Sequence, residues 1–398
     1  MAASVAAARS AAGRRVFAAV LAAGLALTAG CASSGGHSGG GLGDLGNLRH
    51  WGAADWSHWA QQHLLHNAVA QDLWSPDAMR SAAAPAPTAP PAPATAGPST
   101  PATTATASAT ASTATATATA TAATASPDAT GDPSDPPPAA VPAVAEPHPY
   151  PAGLAVFGKI FAKSPRGMYV CSGTVVSDPQ HPGRSNLVWT AGHCLHGGKG
   201  GDWYQNIAFV PDYNAAGAAG DGRQTTLAQV APLGRWWANS ALVAPQWMAE
   251  GNDTAGGAVS QYDSGIIRVA DPDLPGKSLE EEVGGSVPIW FDAPRDRLTA
   301  VTAYGYPAVH PFDGQQLERC DGGHPARLSY DPTRPTMLAI GCTMTAGSSG
   351  GGWLATGSDG KPALVSNTSI GPNPAAWLAG PALAEQAQQM FTTMTRLP

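Results

Sequence analysis

Leu187-Val188-Trp189-Thr190-Ala191-Gly192-His193-Cys194 opens as an apolar run of strand length and closes on small residues that deliver a histidine. Runs of the same kind recur around it: Leu154 to Phe157, Thr174 to Val176, Ile266 to Val269, Leu298 to Tyr304 and Ala363 to Ser366. Gly, Pro, Asn and Asp punctuate them, as tight turns punctuate short strands. From Tyr150 onward no helical period appears until Ala382 to Met394, where Leu383, Ala387, Met390, Phe391 and Met394 share one face. Many short strands and one terminal helix in about 250 residues predict an all-β barrel or sandwich.

Two more stretches carry chemistry. Tyr262-Asp263-Ser264-Gly265-Ile266-Ile267 places an aspartate at the entrance of a strand that reads as buried, and Thr345-Ala346-Gly347-Ser348-Ser349-Gly350-Gly351-Gly352-Trp353 places serines inside a glycine-rich turn. A serine hydroxyl is a poor nucleophile near neutral pH, so an imidazole must take its proton as it attacks. A buried carboxylate must hold the other ring nitrogen, and backbone N–H groups must already face the oxyanion that forms. Glycines around the serine let the chain turn those amides inward without a Cβ clash.

These stretches resemble the chymotrypsin/trypsin-like serine peptidases, with their Thr-Ala-x-His-Cys and Gly-x-Ser-Gly-Gly motifs in the chain order His, Asp, Ser. The resemblance covers about residues 150–398 and implies two six-stranded antiparallel β-barrels with a C-terminal helix. It implies His193 as general base, Asp263 as its orienting partner and Ser349 as nucleophile. The amides of Gly347 and Ser349 become the oxyanion hole, and Ser369-Ile370-Gly371 the strand that pairs with an extended substrate. Asp212, Asp221 and Asp253 compete with Asp263, but only Asp263 precedes a buried-strand pattern; the register against Gly350-Gly351 prefers Ser349 to Ser348. The resemblance also pairs Cys171 with Cys194 beside the histidine, which leaves Cys320 and Cys342 for each other. Loops of about 23 residues closed in this way add roughly 3 kcal/mol in an entropic account.

The chain departs from the family's patterns at three positions. Ser348 stands where trypsin-like zymogens carry the aspartate that receives a new N-terminal ammonium, so that activation switch is not expected. Without it, the motif is nearer the bacterial glutamyl-endopeptidase branch. Thr343 lies where trypsins hold a carboxylate, and Thr368 lies where acid-cutting members hold a histidine. Thr343 therefore joins the expected substrate-binding residues, cleavage after Lys or Arg is not supported, and the side chain preferred at the cut stays open.

The rest of the 398 residues reads as address and spacer. Arg9, Arg14 and Arg15 precede an apolar stretch, Val16 to Ala29, too short to span a bilayer and suited to export. It ends Leu27-Thr28-Ala29-Gly30-Cys31, which resembles a bacterial lipoprotein signal with Cys31 as the lipidated residue; plain secretion is the alternative. Residues 31–80 then form a tether with a Trp/His-rich segment. Trp56, Trp59, His63 and His66 there fall at helical spacing, an amphipathic helix that packs on the catalytic domain or the envelope. His63 and His66 lack the further ligands a metal needs, and no metal or other cofactor is expected. Residues 81–148 read as a disordered linker: from Ser81 to Glu146 there is no aromatic residue, Lys or Arg. Fully extended, its 68 residues reach about 200 Å. The peptidase domain is residues 149–398.

Only 12% of residues are charged and the formal net charge is −7, which argues against a nucleic-acid partner. The expectation is a monomeric serine endopeptidase acting on proteins or peptides, exported and either lipid-anchored on the outer side of the membrane or secreted. Its rivals are a non-catalytic peptide-binding envelope module on the same fold, and a scaffold in which the Trp-rich segment does the work.

Overall fold

The computed structural model of the chain describes residues 48, 51–65, 67, 69–84, 87–91, 134–220 and 222–397. The chain enters its β-rich part through a two-residue strand, β1 (Val144–Ala145). Six strands then close a barrel: β2 (Phe157–Ser164), β3 (Gly167–Val176), β4 (Leu187–Thr190), β5 (Gln205–Pro211), β6 (Trp236–Val243) and β7 (Gly265–Ala270), in the order β2-β3-β4-β7-β6-β5. All the pairings are antiparallel. β4 is buried along its whole length, so Leu187, Val188 and Trp189 read as an unbroken apolar run that Thr190 closes. Leu154 to Val156 is instead a 3₁₀ turn leading into β2.

The second half contains β8 (Val301–Gly305), β9 (Glu318–Gly323), β10 (Ala326–Leu328), β11 (Met337–Gly341), β12 (Gly352–Thr356), β13 (Pro362–Asn367) and β14 (Trp377–Pro381). Residues 318–328 are one stretch broken at His324-Pro325, where proline offers no N–H to a ladder. This half thus has the expected six lengths of strand, but its ladder is split into a sheet β1-β9-β8-β12-β13 and a sheet β10-β11-β14. Just after β13, Ile370 bridges Ala379 of β14, and within β13 the Ser366 hydroxyl donates to the carbonyl of Pro381 at 2.8 Å. The C-terminal helix runs Glu385–Arg396 and buries Met390, Phe391 and Met394. It starts three residues later than the sequence suggests, because Ala382–Ala384 continue out of β14 in non-helical conformation.

Much of residues 48–91 belongs to the same core. The helix Ala53–His63 buries Trp56 and Trp59 and packs on the C-terminal helix. His63 stacks on Trp59 with ring centroids 4.8 Å apart and its Nδ1 lies 2.9 Å from the carbonyl of Trp59. His66 is outside the described residues, as are Cys31 and the export signal. Trp74 is fully buried against Phe161 and its indole N–H donates to the carbonyl of Asn206 at 2.7 Å. The Asn67 amide binds the backbone of both β5 and β6, at Ile207 and Ala238.

The expected linker 81–148 is docked at both described ends. Ala83 exchanges hydrogen bonds with Met168 and Val170 on β3, and β1 pairs with Arg319 and Glu318 on β9. Asp135 forms an ion pair with Arg327 at 2.8 Å, and the arginine beside it holds its carboxyl below the usual range. Among the described residues no helix is long and apolar enough to cross a membrane.

Candidate active site

Strand pairing brings His193 and Asp263 together. β4 ends at Thr190, which is paired with Gly265, the first residue of antiparallel β7. The residues just after β4 and just before β7 therefore leave the barrel at the same end. His193 sits in a 3₁₀ turn there, and its Nδ1 lies 2.7 Å from Asp263 Oδ2. The other carboxylate oxygen accepts the backbone N–H of His193 at 2.8 Å. Both side chains are completely buried, where an ion–dipole pair is strong and an unpaired charge is costly. Among the described residues, the buried Nε2 of His193 has no hydrogen-bond partner.

Several groups around this pair carry no mark in the sequence. Ser369, expected only for its backbone, donates its hydroxyl to Asp263 Oδ2 at 2.6 Å. Asn367 donates to the carbonyl of Asp263 at 3.0 Å and accepts the indole N–H of Trp189 at 3.0 Å. Tyr169 donates to the carbonyl of His193 at 3.3 Å; burial pushes its phenol well above the ordinary range, which keeps the proton on this donor. No local signal singles out Ser369 or Asn367 for this role, since both reach Asp263 from β13 and the turn after it.

The glycine-rich turn is built to close tolerances. Gly347 has φ +101°, and a Cβ there would stand 2.6 Å from the carbonyl oxygen of Tyr306. Gly350 has φ +77°, and a Cβ would stand 2.0 Å from Thr190 Oγ1. Ser172 ties the turn to the first barrel: its hydroxyl donates to the carbonyl of Gly347 at 2.8 Å and its N–H to that of Ser349 at 2.7 Å. The N–H groups of Ser348, Gly350 and Gly351 all have protein acceptors, whereas those of Gly347 and Ser349 have none among the described residues. Ser348 donates its hydroxyl to the carbonyl of Thr345 at 2.8 Å, so it is engaged locally and Ser349 is not.

A cleft of about 400 Å³ opens beside Ser349 and is also lined by Thr343, Ser369, Ile370 and Gly371. Among its described lining residues His310 is the one titratable side chain. Thr343 accepts the N–H of Ala143 on its hydroxyl at 2.9 Å. The rival aspartates lie elsewhere: Asp253 accepts the Tyr204 hydroxyl at 2.5 Å and pairs with Arg166, Asp212 follows β5 with φ +54°, and Asp221 is outside the described residues.

Cys171 and Cys194 form a disulfide (Cα–Cα 6.1 Å) that fastens β3 to the turn carrying His193, and Cys320 and Cys342 form a second (5.5 Å). His193 lies close enough to the first bridge to suggest a metal cluster with its two sulfurs. Those sulfurs are bonded to each other, so neither is a thiolate ligand.

No family model and no curated protein matches the chain. Among solved structures, the thermostable serine protease AL20 from an extremophilic microorganism is 30% identical; the match covers 62% of this chain and 100% of that one, with a TM-score of 0.49. The protease Anisep from Arthrobacter nicotinovorans is 31% identical over 61% of this chain and 97% of that one, also at 0.49. A Glu endopeptidase in complex with MPD is 14% identical over 64% and 97%, at 0.43, and bears on no bond preference here. With 30% identity along the whole of one serine protease and 31% along nearly all of a second protease, this chain belongs to the trypsin-like serine peptidases.

Proposed function

We propose that the protein is a serine endopeptidase that cuts protein or peptide chains through an acyl-enzyme. The observation that carries the proposal is the fully buried Asp263 carboxylate on Nδ1 of His193, with Nε2 left as the ring nitrogen that no protein group occupies. A carboxylate on Nδ1 fixes the hydrogen there and leaves the lone pair on Nε2. Nε2 then takes the proton of Ser349 as Oγ attacks the substrate carbonyl carbon. The carbonyl oxygen becomes an anion received by the N–H groups of Gly347 and Ser349. His193 returns the proton to the leaving amine, and water repeats the cycle on the ester. Removal of one oxyanion donor in such a site costs about 3–4 kcal/mol in the barrier.

Thr343 and a cleft whose described lining holds no carboxylate weigh against cleavage after Lys or Arg. The disulfides suit an oxidising compartment, and an exported, monomeric enzyme held outside the membrane by a lipid on Cys31 is the reading that fits the N-terminal sequence.

The test is intact mass of the full chain after reaction with a fluorophosphonate, beside Ser349→Ala. The expected result is one adduct on Ser349 and none on the variant. A folded, disulfide-bonded chain that takes no adduct would refute the proposal in favour of the peptide-binding module.

A further inference from the structure

A piece of this chain already lies on the strand expected to pair with substrate. Pro87 and Thr88 line the same cleft as Ser349. The Ala89 N–H donates to the carbonyl of Gly371 at 3.0 Å, and the Thr88 carbonyl accepts the N–H of Gly256 at 3.0 Å. Tyr330 donates its hydroxyl to the carbonyl of Pro90 at 3.2 Å. Thr88 thus bridges Ala255 on one side and Gly371 on the other, and Ala89 packs against the cluster that contains Ile370 and Trp377. The Gly371 carbonyl, one of the main-chain groups that an extended substrate needs, is therefore taken.

Resting on the serine-peptidase reading, we propose that residues 87–91 are a built-in competitor, an intramolecular strap that holds the substrate-pairing strand against extended peptides. Its composition suits that role. Pro87, Pro90 and Pro91 fix φ, so the segment stays extended and loses little entropy on docking. Its bridge to Gly371 is parallel, and among the described residues no hydrogen bond joins it to Ser349. The strap occupies the pairing strand without engaging the nucleophile.

The strap is permanently at hand. Upstream, Ala83 is bonded to β3, and Met79 and Trp74 are fully buried. A segment tethered so close competes at an effective concentration that a free peptide reaches only in the millimolar range. Yet the strap itself holds by three hydrogen bonds and one packed methyl group, so a substrate that makes more contacts displaces it.

The test uses the full chain in three forms: native, residues 87–91 replaced by Gly-Ser-Gly-Ser-Gly, and Ala89→Pro, which removes one donor and leaves the rest of the strap. Three rates are compared: kcat/KM for a peptide with four residues N-terminal to the cut, kcat/KM for a single-residue ester, and fluorophosphonate labelling. The replaced chain is expected to gain about tenfold or more on the long peptide, through KM, with Ala89→Pro between it and native. The ester and the labelling rate are expected to stay within twofold, which also shows that the variants are folded. If labelling is retained and long-peptide rates are equal or lower in both variants, the strap is refuted. If none of the three forms labels, the serine-peptidase reading fails instead.

Discussion

Asp263→Asn isolates the chemistry from the packing. Three donors converge on the Asp263 carboxylate: the His193 backbone N–H at 2.8 Å, His193 Nδ1 at 2.7 Å and the Ser369 hydroxyl at 2.6 Å. An amide has one acceptor oxygen and one NH₂. If that oxygen replaces Oδ2, the NH₂ faces the His193 backbone N–H, and two donors meet in a site with no solvent access, at a cost of about 1–3 kcal/mol. If it replaces Oδ1, the NH₂ faces Nδ1 and the ring accommodates it by moving its own hydrogen to Nε2. The second arrangement needs only a tautomer change and a turn of the Ser369 hydroxyl, so it wins. It leaves Nε2 protonated and unable to take the proton of Ser349. The expected loss is about 10⁴ in kcat, near 5 kcal/mol, the size characteristic of this exchange in a Ser-His-Asp triad. The thermal midpoint should change by only a few degrees. The assay is kcat for a peptide ester at neutral pH, with melting followed in parallel. A folded variant within tenfold of the native rate would refute the argument that Asp263 sets the tautomer of His193.

Other changes test the scaffold. Gly350→Ala drives a Cβ to within 2.5 Å of the Ser172 carbonyl oxygen at a positive φ, and we expect a loss of about 3 kcal/mol or more in urea unfolding. Trp74→Ala removes a fully buried indole that seals the barrel against the N-terminal segment; the expected cost is about 3–5 kcal/mol, read as a lower Tm with one cooperative transition. Burial pushes the Lys159 ammonium down to about 7. The unfolded chain keeps that proton up to its ordinary value of 10.5, while the folded chain sheds it above about 7. Unfolding therefore takes up a proton in that window, stability rises with pH across it, and Lys159→Met should flatten the rise between pH 7 and 10 in denaturant titrations.

The catalytic motifs and the β class are readable in the sequence because each is local. β4 coincides with Leu187–Thr190, since a strand buried on both faces is apolar over most of its length. β6 is not legible: Asn239 in its middle is exposed, and Ala238-Asn239-Ser240 interrupts its apolar pattern where its pairing with β7 slips between Ala238 and Ser240. β14 (Trp377–Pro381) contains Gly and Pro, and its place is fixed by β11 rather than by its own propensity. The docking of Ala83, Thr88 and Ala89 is invisible for a different reason. Composition reports how much side chain a segment can bury, and these residues attach through backbone N–H and C=O groups that every sequence supplies. Ser369 belongs with them: its hydroxyl matters only because β13 delivers it to an aspartate 106 residues earlier.

Docking at both ends changes what the long Ala/Thr/Pro stretch does. Pro91 and Ser134 are both seated on the folded head, the first beside Tyr330 through Pro90 and the second on Ser329. A chain whose two described ends are both held by the head is not what holds the head off a membrane. A proteolytic nick there would leave both new ends fastened, one through Pro90 to Tyr330 and the other on Ser329.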